Sequence, residues 1–128
     1  MITIIAGSRT YNDFHVLLHA IENCPWKITK VISGRAQGVD QMGERWAEYN
    51  DLPCDKYKAE WDKYGKRAGY LRNEVMADQA EALIALWDYQ SKGTRNMIDI
   101  ARRKGLEVFV WKITKPKTIT TYKQPIGL

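Results

Sequence analysis

Three short stretches of this 128-residue chain combine small residues, hydroxyls and cations in the way an anion-binding turn requires. The longest, ISGRAQGVD over 32–40, places Gly34 and Gly38 around Arg35, Ala36 and Gln37 and closes on Asp40. Gly7–Ser8–Arg9–Thr10 comes earlier, and Ser91–Lys92–Gly93–Thr94–Arg95 comes later. Small residues let a main chain approach a ligand closely, hydroxyls hydrogen-bond to it, and a helix amino terminus presents free N–H groups with partial positive charge. These are the ingredients of a phosphate cradle, with Gly7, Ser8, Arg9, Gly34, Arg35, Ala36, Gly38, Asp40, Ser91, Gly93 and Thr94 as candidate ligand-binding residues. Tight strand-to-helix turns would use the same residue types, with Asp40 as a helix cap instead of a ribose partner. Neither GxxxxGKS/T nor a GxGxxG after the first strand is present, which disfavours a P-loop hydrolase and an ordinary dinucleotide dehydrogenase.

Such turns gain meaning from what flanks them. Short apolar, partly β-branched runs at 3–7, 30–34, 82–87 and 107–111 read as buried strands, and 53–59 is a poorer fifth candidate. Between them lie helical periodicities: Phe14, Leu17, Leu18 and Ile21 behind Asn12 or Asp13 as cap; Val39, Met42, Trp46 and Ala47; Ala68, Leu71 and Val75; and Met97, Ile98 and Ala101 before Gly105. This β-α alternation predicts an α/β, Rossmann-like three-layer α/β/α fold with a mainly parallel five-stranded sheet. In such sheets ligands bind beyond the carboxyl ends of the strands, where all three turns fall. One domain is expected over 1–111, followed by a basic tail, 112–128, in which TITTY is a candidate extra edge strand.

The formal net charge is +5, but four lysines and no acid lie from Lys112 onward, so residues 1–111 net only +1. A nucleic-acid module is therefore a minor alternative. The absence of a long apolar run or a basic leader, and the two cysteines Cys24 and Cys54, point to a cytoplasmic chain without a disulfide framework. His15 and His19 are four apart but lack further ligands nearby, so no metal site is expected, and no cofactor.

In YLRNEVM (70–76), Arg72 can clamp a phosphate, Asn73 can bond a base or ribose, and Glu74 can accept from ribose hydroxyls; a helix-surface ion-pair network is the competing use of Arg72 and Glu74. Trp61, Tyr64 and Tyr70 are read as core or helix-docking residues before base-stacking ones. Asp88, at the end of the fourth strand, is expected to face the crevice.

GSRTYND, VISGRAQGVDQMGERWA, EWDKYGKRAGYLRNEVM, ALIALWD and SKGTRNMIDIARRKG, in this order, resemble the YspA-type members of the SLOG superfamily. That superfamily shares a Rossmann-like fold with the LOG phosphoribohydrolases and DNA-processing protein A. The resemblance spans residues 1 to about 111. It implies a site for a nucleotide or nucleotide-derived molecule, ADP-ribose- or NAD-like, with Gly34–Asp40 and Gly93–Thr94 along phosphate and ribose, and homo-oligomerisation as in relatives. It also implies a departure. The hydrolases carry PGGxGTxxE after the fourth strand; here Gly93–Thr94 match the GT, but Met97 stands where the catalytic glutamate belongs. A thioether cannot move a proton or stabilise an oxocarbenium ion as a carboxylate can. A sensor or binding protein is thus expected before an N-glycosidic or phosphoester hydrolase, for which Arg72 and Glu74 are the catalytic candidates.

Overall fold

The computed structural model describes residues 1–114. Five strands, β1 (Ile2–Gly7), β2 (Lys30–Ser33), β3 (Cys54–Lys56), β4 (Ala82–Trp87) and β5 (Glu107–Lys112), form one sheet in the order β3-β2-β1-β4-β5. Every neighbouring pair is parallel, with Ile4 opposite Ile32 and Leu83, and Ile5 opposite Ile84. The fold is therefore the Rossmann-like α/β architecture the alternation predicts. β1 is central, and the strand order reverses there: the chain first winds outward to β2 and β3, then crosses back to β4 and β5. The switch point lies between the carboxyl ends of β1 and β4, where ligands bind in open α/β sheets.

Alternate residues of the central strands point to opposite faces. Ile5, Val31, Ile84 and Leu86 meet Leu17 of α1 (Phe14–Asn23) and Val39 and Met42 of α2 (Val39–Tyr49). Ile4, Ile32, Leu83 and Ala85 meet Met76 of α4 (Ala68–Gln79) and Met97 and Ile98 of α5 (Lys92–Arg103). The residues named for β1, β2 and β4 are fully buried, each Val, Leu or Ile side chain among them contributing about 1.5–3 kcal/mol. Asp13 caps α1 by accepting from the His15 amide at 3.1 Å. α5 stops at Gly105 (φ +81°), where the Gly105 and Leu106 amides return to the Arg102 and Ala101 carbonyls, a turn that favours glycine.

Two features depart from the sequence reading. β3 is only three residues long, and a short helix, α3 (Trp61–Tyr64), followed by a 3-10 turn at Gly65–Arg67, precedes α4. β5 runs to Lys112, and Ile113 is buried with its amide on the Trp87 carbonyl. The TITTY strand expectation lies outside the described residues. Among the described residues no helix is long and apolar enough to cross a membrane.

Candidate functional site

A cavity of about 400 Å³ opens at the switch point. Its walls come from the β1–α1 turn (Gly7, Ser8, Arg9), the start of α2 (Ala36, Asp40), α4 (Arg72, Asn73) and the start of α5 (Ser91, Gly93, Thr94). Ten of the fourteen candidate ligand-binding residues thus share one cavity. Gly34 and Arg35 line an adjoining groove, and Gly38 lines a separate, shallow depression beside α2.

The α5 wall is the first turn of a serine-capped helix. Asp88 does not face the cavity; its Oδ1 accepts from the Gln90 and Ser91 amides at 2.9 and 2.8 Å and so shapes the turn out of β4. This corrects the expectation that it contacts a ligand. Ser91 then caps α5, its Oγ accepting from the Thr94 amide and lying 3.0 Å from the Thr94 hydroxyl. A Cβ placed on Gly93 would meet no atom within 4 Å. The first turn of the helix therefore faces empty space, with its positive dipole end directed there.

The β2–α2 loop is different. Gly38 has φ +75°, and a Cβ there would lie 2.3 Å from the Ser8 carbonyl oxygen. Its glycine serves the contact between two of the protein's own loops, where the Val39 amide donates to Ser8 O at 3.3 Å. A Cβ on Gly34 would lie 2.9 Å from Asp40 Oδ2 and 3.0 Å from the Arg72 guanidinium. The space expected to receive an anion at these two glycines is occupied by protein atoms. Arg35 is held away from the cavity by a 2.5 Å ion pair with Glu44, which also takes the Ser33 hydroxyl at 2.6 Å.

Asp40 does not cap α2, whose cap position is Gly38 without a side-chain bond. Its carboxyl lies buried under the loop and accepts from the Ala36 amide at 3.3 Å. Burial pushes this group up to about 7; the Arg72 charge and the Ala36 and Gly7 amides oppose the rise, and Glu44 adds to it. Arg72 crosses from α4, bonding Gly34 O through Nη1 and the Asn73 carboxamide through Nε at 3.1 Å. Burial lowers its affinity for its proton, with Asp40 opposing and Arg9 adding to that shift. Asn73 is buried and locked to Asn96 at 2.9 Å.

Glu74 is the clearest correction. It turns to the opposite side of α4 and pairs with Arg103 at 2.5 Å and Lys104 at 3.4 Å, which hold its carboxyl below its ordinary value. It has no part in the cavity, and the helix-surface network describes it. The sequence reading also missed cavity residues. Trp61 and Tyr70, read as core or helix-docking residues ahead of base-stacking ones, are 44% and 48% exposed and stand at the mouth, with Arg9 over the Trp61 ring at 5.6 Å. Lys66 stands there too, and Met97 lies on the floor, almost fully buried. Tyr64 belongs to another groove. His15 and His19 lie on α1, and among the described residues no three His, Cys, Asp or Glu converge on a metal position. Lys66, Arg9 and Arg72 against one carboxyl with a pKa of about 7 leave the cavity positive.

A family model described as YspA, cpYpsA-related SLOG family matches residues 1–64. The chain is 31% identical over 115 residues to the Gene 61 protein of Mycobacterium phage D29, covering 82% of this chain and 91% of that protein. It is 36% identical over 62 residues to the uncharacterized SPbeta prophage-derived protein YoqJ of Bacillus subtilis (strain 168), covering 46% of this chain and 36% of that one. The X-ray structure of DNA processing protein A (DprA) from Streptococcus pneumoniae superposes with a TM-score of 0.64 at 17% identity. That superposition covers 93% of this chain and 52% of DprA, and it shows a common fold.

Proposed function

This chain belongs to the YspA, cpYpsA-related SLOG family, and on that premise we propose that its crevice binds a nucleotide or nucleotide-derived ligand of the ADP-ribose or NAD kind, as a sensor or binding protein. The observation that carries the reading is the open space beside Gly93, faced by the first turn of α5 on one side and by Arg72 and Arg9 on the other. A phosphate there gains amide hydrogen bonds and two charge-assisted contacts. Trp61 and Tyr70 at the mouth supply faces on which a base stacks. We assign this site to the body of the chain, with residues 112–128 as an appendage, and place its action in a reducing interior, as the free Cys24 and Cys54 allow.

Binding is favoured over turnover because Met97 occupies the floor position where the resemblance puts a glutamate. One observation supports a second reading. Asp40 lines the cavity, and a carboxyl near neutrality beside an arginine suits proton transfer in N-glycosidic cleavage. Thermal unfolding with AMP, ADP, ADP-ribose and NAD, against adenosine as the phosphate-free control, tests the main reading. A ligand at a hundred times its Kd stabilises by about 2.7 kcal/mol, a rise on the order of 8–15 °C for a domain of this size. The same absence of any shift with all four compounds, in folded protein, overturns it. Release of free base on long incubation, lost in Asp40→Asn, would favour the second reading.

A further inference from the structure

The cavity is one end of a longer groove. The depression beside it, about 310 Å³, shares Arg9, Ala36, Trp61 and Arg72 with the cavity. A third depression, about 650 Å³, shares Lys58 and Arg72 with the second and runs on along Lys56, Tyr57, Tyr64 and Arg67 to the β3 edge. Residues 56–72, which form this rim, hold six basic side chains and two acids, a net of +4. The rest of residues 1–111 nets −3. The near-neutral body is therefore strongly polarised, with its positive end along the groove.

Most of those cations meet no acid, although Arg72 bonds Gly34 O and Lys63 lies over the Tyr64 ring at 5.1 Å. Among the described residues, Arg9, Lys56, Lys58, Lys66, Arg67 and Arg72 have no carboxylate within 4.0 Å, whereas Arg35, Arg103 and Lys104 do. Of the two acids along the third depression, Glu74 is neutralised by Arg103 and Lys104, which leaves Glu60. Interleaved with the cations are Trp61 and Tyr64, 44% and 40% exposed and outside both core clusters. A basic track with exposed aromatic faces fits the backbone and bases of an unpaired strand. Even with Arg72 set aside, five cations without a carboxylate partner exceed what one mononucleotide can neutralise, and the 400 Å³ end cavity is of single-ligand size and would not admit a duplex.

We propose that the groove holds a single strand of nucleic acid, running from the β3 edge past Lys58 and Tyr64 and ending with its terminal nucleotide in the crevice. The proposal rests on the nucleotide reading of that crevice and adds the chain that continues out of it.

Fluorescence anisotropy with a labelled oligo-dT of about twelve nucleotides tests it, a length within the range one such domain occupies. Affinity should fall with salt at a log–log slope of about −3 to −4, the value for four to six phosphates neutralised on a single strand. The exposed pair Lys58→Glu/Arg67→Glu should weaken oligo-dT at least tenfold and flatten the slope. Tyr64→Ala should weaken it about tenfold with the slope kept, as loss of one stacking face predicts. AMP binding in the crevice should be unchanged in both variants. Unchanged oligo-dT affinity in either variant overturns the proposal, as does competition by polyglutamate as strong as by unlabelled oligo-dT. If AMP fails to bind while oligo-dT still depends on Lys58, Arg67 and Tyr64, the track stands and the crevice reading falls.

Discussion

The segments after β2 and β4 both place glycine at the carboxyl edge of the sheet, two in the first and one in the second, yet they use it in opposite ways. After β2, Gly34 and Gly38 let the protein pack against itself: Asp40 and Arg72 crowd one, and the Ser8 and Arg9 carbonyls crowd the other. After β4, nothing approaches Gly93. Glycine marks a place where something comes close; only the three-dimensional neighbourhood says whether that something is the protein or a ligand. On the proposed reading, the β2 turn is the frame of the site and the β4 turn its receiving surface.

Substituting the frame should damage folding. Gly38→Val combines a positive φ with a Cβ 2.3 Å from a backbone oxygen, and we expect a loss of about 3 kcal/mol or more. That is a large share of the roughly 5–15 kcal/mol that holds such a domain together. Urea unfolding measures it, and a loss below about 1 kcal/mol would erase the contrast between the two turns.

The frame also stores a charge cost. The Asp40 carboxyl is raised to about 7 in the folded chain, against about 3.9 in an unfolded one. Between those values the folded chain binds a proton that the unfolded chain releases, so stability increases as pH falls from 7 toward 4. Above 7 the ionised, buried carboxyl costs on the order of 2–4 kcal/mol. Asp40→Asn should therefore exceed the native chain in stability at pH 8, with the gap closing toward pH 5. Parallel stability curves for the two proteins would show that Asp40 is not strained in its buried place.

The sequence carried the frame better than the surface. β1 and β4 were legible because ITIIAG and ALIALW are apolar, compact runs buried on both faces, and α5 because Met97, Ile98 and Ala101 keep helical phase before Gly105. α3 was not, since four residues are too few to show a period. Asn73 and Met76 face inward, and Arg72 reaches the crevice; Glu74, adjacent in sequence, turns to Arg103 and Lys104 because successive helical residues rotate by about 100°. Trp61 and Tyr70 looked like core or helix-docking residues because large aromatics usually are, but on a short helix and a first turn they stay exposed. The self-filled state of Gly34 depends on Arg72, thirty-eight positions away, a contact no local pattern encodes.

The smallest expected effect on folding belongs to the decisive variant. Gly93→Val adds its side chain to open space in the first turn of α5, so urea unfolding should change by less than about 1 kcal/mol. The same side chain fills the space in front of the helix amino terminus. Calorimetric titration of the variant with whichever of AMP, ADP, ADP-ribose or NAD stabilises the native chain is the direct test. If the first turn of α5 receives the phosphate, affinity falls at least tenfold at unchanged stability; native affinity in the variant would contradict that role.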